Sequence, residues 1–256
     1  MGEIMDQSIA LPPEIKQGLD EFLDASQQAF GNELISAVLF GSAAEGRLRS
    51  VSDINLLLIL KRFDRSRADL IREPFRTAHA VMRMDVMFLL ETEIVPVMDA
   101  FAVKFSDILI RRRVLFGPDP FVDLAIPPEA VRRRTIQVLL NLILRMRERY
   151  ALVSLREEQL AHVLADMTSP LRACAASILN LEGKRTLSPR EAFAFILAEQ
   201  DAQDGIDVVK LIDTLRGTGS LPPGTAEPLL FSLMRLAEFM YERVCKAATG
   251  VGGGHG

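Results

Sequence analysis

The chain has 256 residues, 49% of them hydrophobic and 25% charged, with a formal net charge of −4. That is enough apolar material for one large packed domain or two ordinary ones. Basic residues are concentrated in neither half, tryptophan is absent and tyrosine scarce, which argues against a basic nucleic-acid track with stacking aromatics. Two cysteines, Cys174 and Cys245, cannot build a disulfide framework, and no apolar run approaches the ~18 residues that span a bilayer. A reduced, cytoplasmic protein without membrane contact is expected.

Pro12 and Pro13 open a segment with Ile15, Leu19, Phe22 and Leu23 on one helical face, which predicts a first helix running to about Phe30. Ser36–Phe40 and Ile54–Leu60 are short branched apolar runs, too short for typical helices, and read as buried strands. Arg65–Val81 places Leu70, Ile71, Phe75 and Ala78 on one face and predicts a second helix, followed by a third buried strand over Met84–Leu90. Residues 93–112 return to helical spacing, and Val114–Phe116 reads as a short strand stopped by Gly117-Pro118. An α/β unit with a mixed sheet therefore fills residues 1–125.

From Pro127 the pattern is helical throughout. Ile136, Leu139, Leu140, Ile143 and Met146 mark one helix. Ser169-Pro170 reads as the start of another ending near Gly183, and Ser188-Pro189-Arg190-Glu191 as the capping-box start of a third. Gly205–Arg216 and Thr225–Ala248 complete an α-helical domain over 126–249, and residues 250–256 read as a flexible glycine-rich tail whose His255 belongs to no site.

The chemistry concentrates between residues 40 and 85. Phe40-Gly41-Ser42 follows a strand, where a glycine-serine turn lets backbone N–H groups and a small hydroxyl approach an anion, at the start of a short helix ended by Gly46. Asp53 and Asn55 open the next strand, and its period of two points both to one face while Ile54 turns to the core. Asp85 opens the strand after that in the same way. Two acidic positions on separate strands facing a phosphate-binding turn suit a hard cation held against a nucleoside triphosphate.

This order, Gly41-Ser42, ten residues, Asp53-x-Asn55 and a later strand carboxylate at Asp85, resembles the DNA polymerase β nucleotidyltransferase superfamily. The likeness is to the small bacterial members with a helical domain behind the catalytic one, and its motifs cover roughly residues 34–120. It implies a nucleotidyltransferase-like α/β (α+β) domain followed by an α-helical domain, with the active cleft between them. It also implies Mg2+ or Mn2+ held by Asp53, Asn55 and Asp85 as the catalytic and metal-ligating positions. Gly41 and Ser42 would bind the β- and γ-phosphates. Asn55 departs from the family pattern, which has a second carboxylate there. An amide oxygen can ligate a cation, yet it carries no charge and bridges two metals poorly.

Each feature has a plainer reading beside it. Asp85 can be a solvated carboxylate paired with Arg83. Arg47 and Arg49 either reach triphosphate oxygens or are solvated loop residues. The runs Arg111–Arg113 and Arg132–Arg134 read as solvated helix ends or domain-interface residues. Arg156 and His162 fit the Arg-x4-6-His spacing of the HEPN ribonucleases, but Arg72 and His79 fit it as well inside another domain, so the spacing discriminates nothing.

The function implied by the resemblance is magnesium-dependent transfer of a nucleoside monophosphate from a nucleoside triphosphate to an acceptor hydroxyl. The acceptor is a small molecule or protein rather than nucleic acid, and self-association into a homo-oligomer is compatible with the sequence. Glu148, Glu157 and Glu158 are candidate acceptor bases by chemistry alone. The alternative is a catalytically impaired protein that kept the fold as a nucleotide-binding or interaction module.

Overall fold

The computed structural model describes residues 11–48, 53–184, 187–200 and 207–249. The glycine-rich tail with His255, Arg49 and the expected helix start at Gly205 lie outside the described residues. Chain contacts divide into two units, one of residues 1–100 and 107–125 and one of residues 101–106 and 126–256.

The first unit begins with α1 (Pro13–Phe30), started by proline in its first turn and closed by Gly31 at positive φ. Strands β1 (Leu34–Phe40) and β2 (Ile54–Leu60) pair antiparallel, α2 (Arg65–Met82) follows, and β3 (Met84–Leu90) returns parallel to β2. Strand β4 (Arg112–Phe116) adds to the other edge, giving a mixed sheet of order β3-β2-β1-β4.

Both faces of the central pair β1 and β2 are apolar. Ala37 and Leu39 of β1 share one face with Ile54, Leu56, Leu58 and Leu60 of β2, and that face packs under Leu19, Phe22 and Phe30 of α1 and Ile71, Ala78 and Met82 of α2. The opposite face carries Val38, Leu57 and Ile59, also fully buried. A strand buried on both sides reads as a continuous apolar run, as INLLLIL does. Each such leucine contributes ~1.5–3 kcal/mol by leaving water.

Two expectations in this unit need correcting. The helical spacing over 93–112 resolves into α3 (Ile94–Ala100) and α4 (Ala102–Ile110), and helix stops there because Arg112–Phe116 are drawn into the sheet by pairing with β1. Arg112 and Arg113 are therefore half-buried strand residues and not solvated helix ends. Arg112 binds the Asp119 carboxylate through Nη2 at 2.8 Å. Strand β3 is an edge strand with a half-buried face, not a fully buried strand.

The second unit is helical: α5 (Pro128–Val153), α6 (Glu157–Leu181), α7 (Pro189–Glu199), α8 (Val208–Thr218) and α9 (Ala226–Thr249). Helix α6 begins at Glu157, twelve residues before the expected start, and Pro170 sits inside it. The stripe Leu160, Leu164, Met167, Leu171, Cys174 and Ile178 runs unbroken past the proline into the core. Burial of that stripe outweighs the ~3 kcal/mol an interior proline costs. The face of α5 is Leu139, Leu142, Ile143 and Met146, with Leu140 exposed. Ser188 and Glu191 form the reciprocal capping box that their spacing predicts: the Ser188 N–H donates to Glu191 Oε2 at 2.8 Å and the Glu191 N–H to Ser188 Oγ at 3.3 Å.

Gly117 ends β4 with φ 72°, and a Cβ there would stand 2.0 Å from the Ile35 carbonyl oxygen. The neighbour is backbone and cannot turn away. Gly117→Ala should therefore destabilise the protein by more than ~1 kcal/mol, read from the urea midpoint at constant slope; an unchanged midpoint would mean that β1 and β4 are not so closely apposed.

Candidate functional site

The sheet registers decide what meets what. Phe40 of β1 lies opposite Asn55 of β2, and Asn55 lies opposite Asp85 of β3, so the three occupy one row. Because β1 runs against β2 and β3, the end of β1 and the beginnings of β2 and β3 fall on the same edge of the sheet. Gly41-Ser42 leaves that edge directly after Phe40, and Asp53 enters it just before Ile54. The structure thus brings Gly41, Ser42, Asp53, Asn55 and Asp85 together. Ile54, only 1% exposed, points to the opposite, helix-covered face, while Asn55 is half-buried and Asp85 exposed.

The glycine-serine turn is a single 3-10 turn, Gly41–Ala43, and not the start of a regular helix. Any anion there would be held by individual N–H groups and the Ser42 hydroxyl, without a helix dipole behind them. Gly41 has φ 77°, the left-handed region that glycine enters without strain, and its N–H donates to the Arg111 carbonyl at 3.0 Å. That donor is spent on structure. The Arg47 N–H donates to the Ser42 carbonyl at 2.9 Å, which ties Arg47 to the turn, with Gly46 at positive φ just before it.

Arg111 is a residue that sequence reasoning misplaced. Its side chain is only 11% exposed; it pairs with Asp107 and reaches Glu45 Oε2 at 3.4 Å, while its carbonyl accepts the Gly41 N–H. It braces the turn from behind. The sequence offered no signal for this, because the pairing that sets β4 beside β1 is a tertiary fact.

Asn55 turns toward the glycine turn: its Nδ2 would lie 3.8 Å from a Cβ on Gly41, and it donates to the Asp53 carbonyl at 3.3 Å. Asp53 Oδ1 accepts from Arg83 Nε at 2.9 Å, with the carboxylate 30% and the guanidinium 57% exposed. Asp85 Oδ1 lies 3.6 Å from His79 Nδ1, which itself approaches the Met84 carbonyl at 2.9 Å. The expected Arg83 partner of Asp85 therefore serves Asp53 instead.

Arg83 caps α2 in the left-handed conformation, φ 53° and ψ 42°. A side chain there costs ~1–2 kcal/mol, and glycine or asparagine is the usual occupant. An exposed ion pair returns ~0.2–1 kcal/mol. The pair with Asp53 does not offset the backbone conformation it requires.

The donors at this edge are all oxygen, two carboxylates and one amide on neighbouring strands, and this set fits a single hard divalent cation. Among the described residues no three His, Cys, Asp or Glu side chains converge on one point. His79 stands beside Asp85, and Asp53 does not close on that pair into a group of three.

In the helical unit, Arg156, Glu157, Glu158, His162, Ser220 and Leu221 are among the residues lining a hollow of about 810 Å³. Backbone N–H groups of Gly224, Ala226 and Thr225 hold the Glu157 carboxyl below its ordinary range. It is a clamp on the loop before α9 and a poor base, which removes it from the candidates.

A mixed β3-β2-β1-β4 sheet with a glycine-serine turn and strand-borne acidic positions at one edge, in a chain with a helical second unit, is the architecture of the polymerase β-like nucleotidyltransferase fold. The solved spectinomycin adenyltransferase of Enterococcus faecialis, determined with ATP and spectinomycin, has it: the likeness covers 88% of this chain and 98% of that one, with a TM-score of 0.64 at 13% identity. A Methanocaldococcus jannaschii protein with the provisional name of protein adenylyltransferase is 49% identical over 51 residues, 20% of this chain. The aligned segment spans about a third, 35%, of that relative's length. No family profile matches the chain.

Asn55→Asp replaces a donor to the Asp53 carbonyl with a carboxylate beside Asp53 and Asp85. Without metal it should lower stability by roughly 1 kcal/mol, from the lost hydrogen bond and like-charge crowding, seen as a lower melting temperature in chelator. A melting temperature equal to the parent's would mean that the residue-55 side chain does not face the other two.

Proposed function

We propose that the protein transfers a nucleoside monophosphate from a nucleoside triphosphate to an acceptor hydroxyl. The observation that carries this is the shared sheet edge of Gly41-Ser42, Asp53, Asn55 and Asp85. The acceptor oxygen attacks the α-phosphorus, a new P–O bond forms as the bond to the bridging α,β-oxygen breaks, pyrophosphate leaves, and the hydroxyl proton passes to a base.

The Ser42 hydroxyl and the N–H groups of the turn receive the β- and γ-phosphates, and Arg47 beside the turn supplies a positive charge for the same oxygens. Arg111 keeps that turn in place. Asp53 and Asp85, with the Asn55 amide, would hold Mg2+, or Mn2+ in its stead. When bound, the ion supplies charge to the oxygens that become negative as the phosphorus is attacked. Asp53, Asn55 and Asp85 are accordingly the catalytic positions.

ATP is the favoured donor, since the structural neighbour was solved with ATP and both similar proteins are named for adenylyl transfer. Those two names also divide the acceptors, a small hydroxylated molecule in one case and a protein in the other. Nucleic acid is disfavoured by the net charge of −4. We place the protein in the cytoplasm; no described helix is long and apolar enough to cross a membrane.

The test is calorimetric titration of a non-hydrolysable ATP analogue with Mg2+, paired with transfer of label from α-labelled ATP to a panel of aminocyclitols and proteins. The parent should bind, and Asp85→Ala should lower metal-dependent affinity ~10-fold or more with its fold intact, because Asp85 is exposed. Absence of heat and of pyrophosphate release with all four triphosphates and either metal would reject the proposal. In Asn55→Asp the sign of the metal-free effect should reverse once Mg2+ and the analogue are present. A tenfold tighter site gains at most ~1.4 kcal/mol at saturation, so the variant's thermal shift should exceed the parent's. Equal shifts would place residue 55 away from the metal.

A further inference from the structure

Arg83 stands out from the rest of the site. Among the described non-glycine residues only Arg83 and Asp123 have positive φ, a conformation that aspartate adopts more readily than arginine. The backbone of Arg83 is fixed on both sides: its N–H donates to the His79 carbonyl at 2.9 Å, and its carbonyl accepts from the Ile54 N–H at 3.3 Å at the start of β2. Its side chain leaves this corner toward Asp53, about half exposed to solvent, with the Asp53 side chain more enclosed. A strained position suited to glycine, carrying an arginine whose ion pair does not offset the strain, points to a use other than stability.

We infer that Arg83 is an exchangeable internal cation: it neutralises Asp53 while no metal is bound, and moves to a phosphate oxygen of the incoming triphosphate when the metal takes Asp53. The inference rests on the nucleotidyl-transfer reading and deepens it. Guanidinium matches phosphate as well as carboxylate, with paired N–H donors for either. The Gly41-Ser42 turn leaves from the same sheet edge as Asp53, so a triphosphate held there would lie on the side to which the Arg83 side chain already points. Metal alone must compete with Arg83, and triphosphate alone meets an arginine already engaged. Together each releases what the other needs, so metal and nucleotide bind cooperatively, and the coupling is reciprocal.

The experiment measures Mn2+ binding by the loss of the free-ion paramagnetic resonance signal, with and without a non-hydrolysable ATP analogue, in the parent, Arg83→Gly and Arg83→Lys. Glycine suits the left-handed corner, so the fold should be kept or strengthened, which thermal melting verifies. In Arg83→Gly, Mn2+ alone should bind about 3- to 5-fold tighter, the worth of a surface ion pair removed from competition. The analogue should bind more weakly, and the mutual enhancement of the two ligands should fall below the parent's, leaving the part that direct contact between phosphate and metal supplies. Arg83→Lys should keep part of that enhancement. If Arg83→Gly retains both the parent's Mn2+ affinity and its coupling, Arg83 is a helix cap and nothing more, although nucleotidyl transfer stands. If the parent binds neither Mn2+ nor the analogue at millimolar concentration, the nucleotidyl-transfer reading fails and this inference falls with it.

Discussion

The register of β2 is the constraint on which the rest of the site depends. Its seven residues are locked between β1 and β3, and Leu56, Leu57, Leu58, Ile59 and Leu60 are all fully buried. A slip by one residue would exchange the two faces, sending Asn55 toward the helix-covered core and Ile54 toward solvent. Because both faces are apolar from Leu56 onward, the central run itself discriminates weakly. The polar residues at the head do so: Asp53 and Asn55 can satisfy their polar atoms on one face only, so the site residues help to set the register that positions them.

The same dependence explains why much of the site was legible in the sequence. Alternation along INLLLIL placed Asn55 opposite Ile54 in direction, and short apolar runs bounded by Gly41, Asp53 and Asp85 marked three strand ends. What the sequence did not carry was pairing. That Asn55 faces Asp85 across a parallel pair and Phe40 across an antiparallel one is a tertiary fact, and so is the recruitment of Arg112 and Arg113 into β4. Arginine has no strand preference that would announce this. In the helical unit, Pro170 misled because proline is common at helix starts, whereas here the buried stripe on either side of it is continuous.

Arg111 and Arg83 show how basic residues hold the two sides of this edge. Arg111 is enclosed, paired with Asp107 and Glu45, and its carbonyl fixes Gly41; exchanging its partners would leave a nearly buried cation uncompensated. Arg83 is about half exposed to solvent and touches one carboxylate at its surface. The first is built to stay and the second is free to move at small cost. Both lay in segments where the sequence offered only an arginine near a strand, and their difference in burial comes from which element covers each.

The charge at this edge is consistent with the amide at position 55. Three carboxylates facing one another without metal repel, and each must either rise in pKa or find a cation. With Asn55 in the middle of the row, Arg83 on Asp53 and Arg47 on the adjoining turn, the metal-free edge carries as many guanidinium groups as carboxylates and needs no ion to be stable. A bare site of that charge attracts a divalent cation weakly. Under the proposed reading a triphosphate changes this, because it brings negative charge of its own and offers Arg83 another anion, so the cation would meet Asp53 without Arg83 on it, together with phosphate oxygens. Under the proposed nucleotidyl transfer, the nucleotide would supply what the missing carboxylate does not, and metal occupancy would follow nucleotide occupancy.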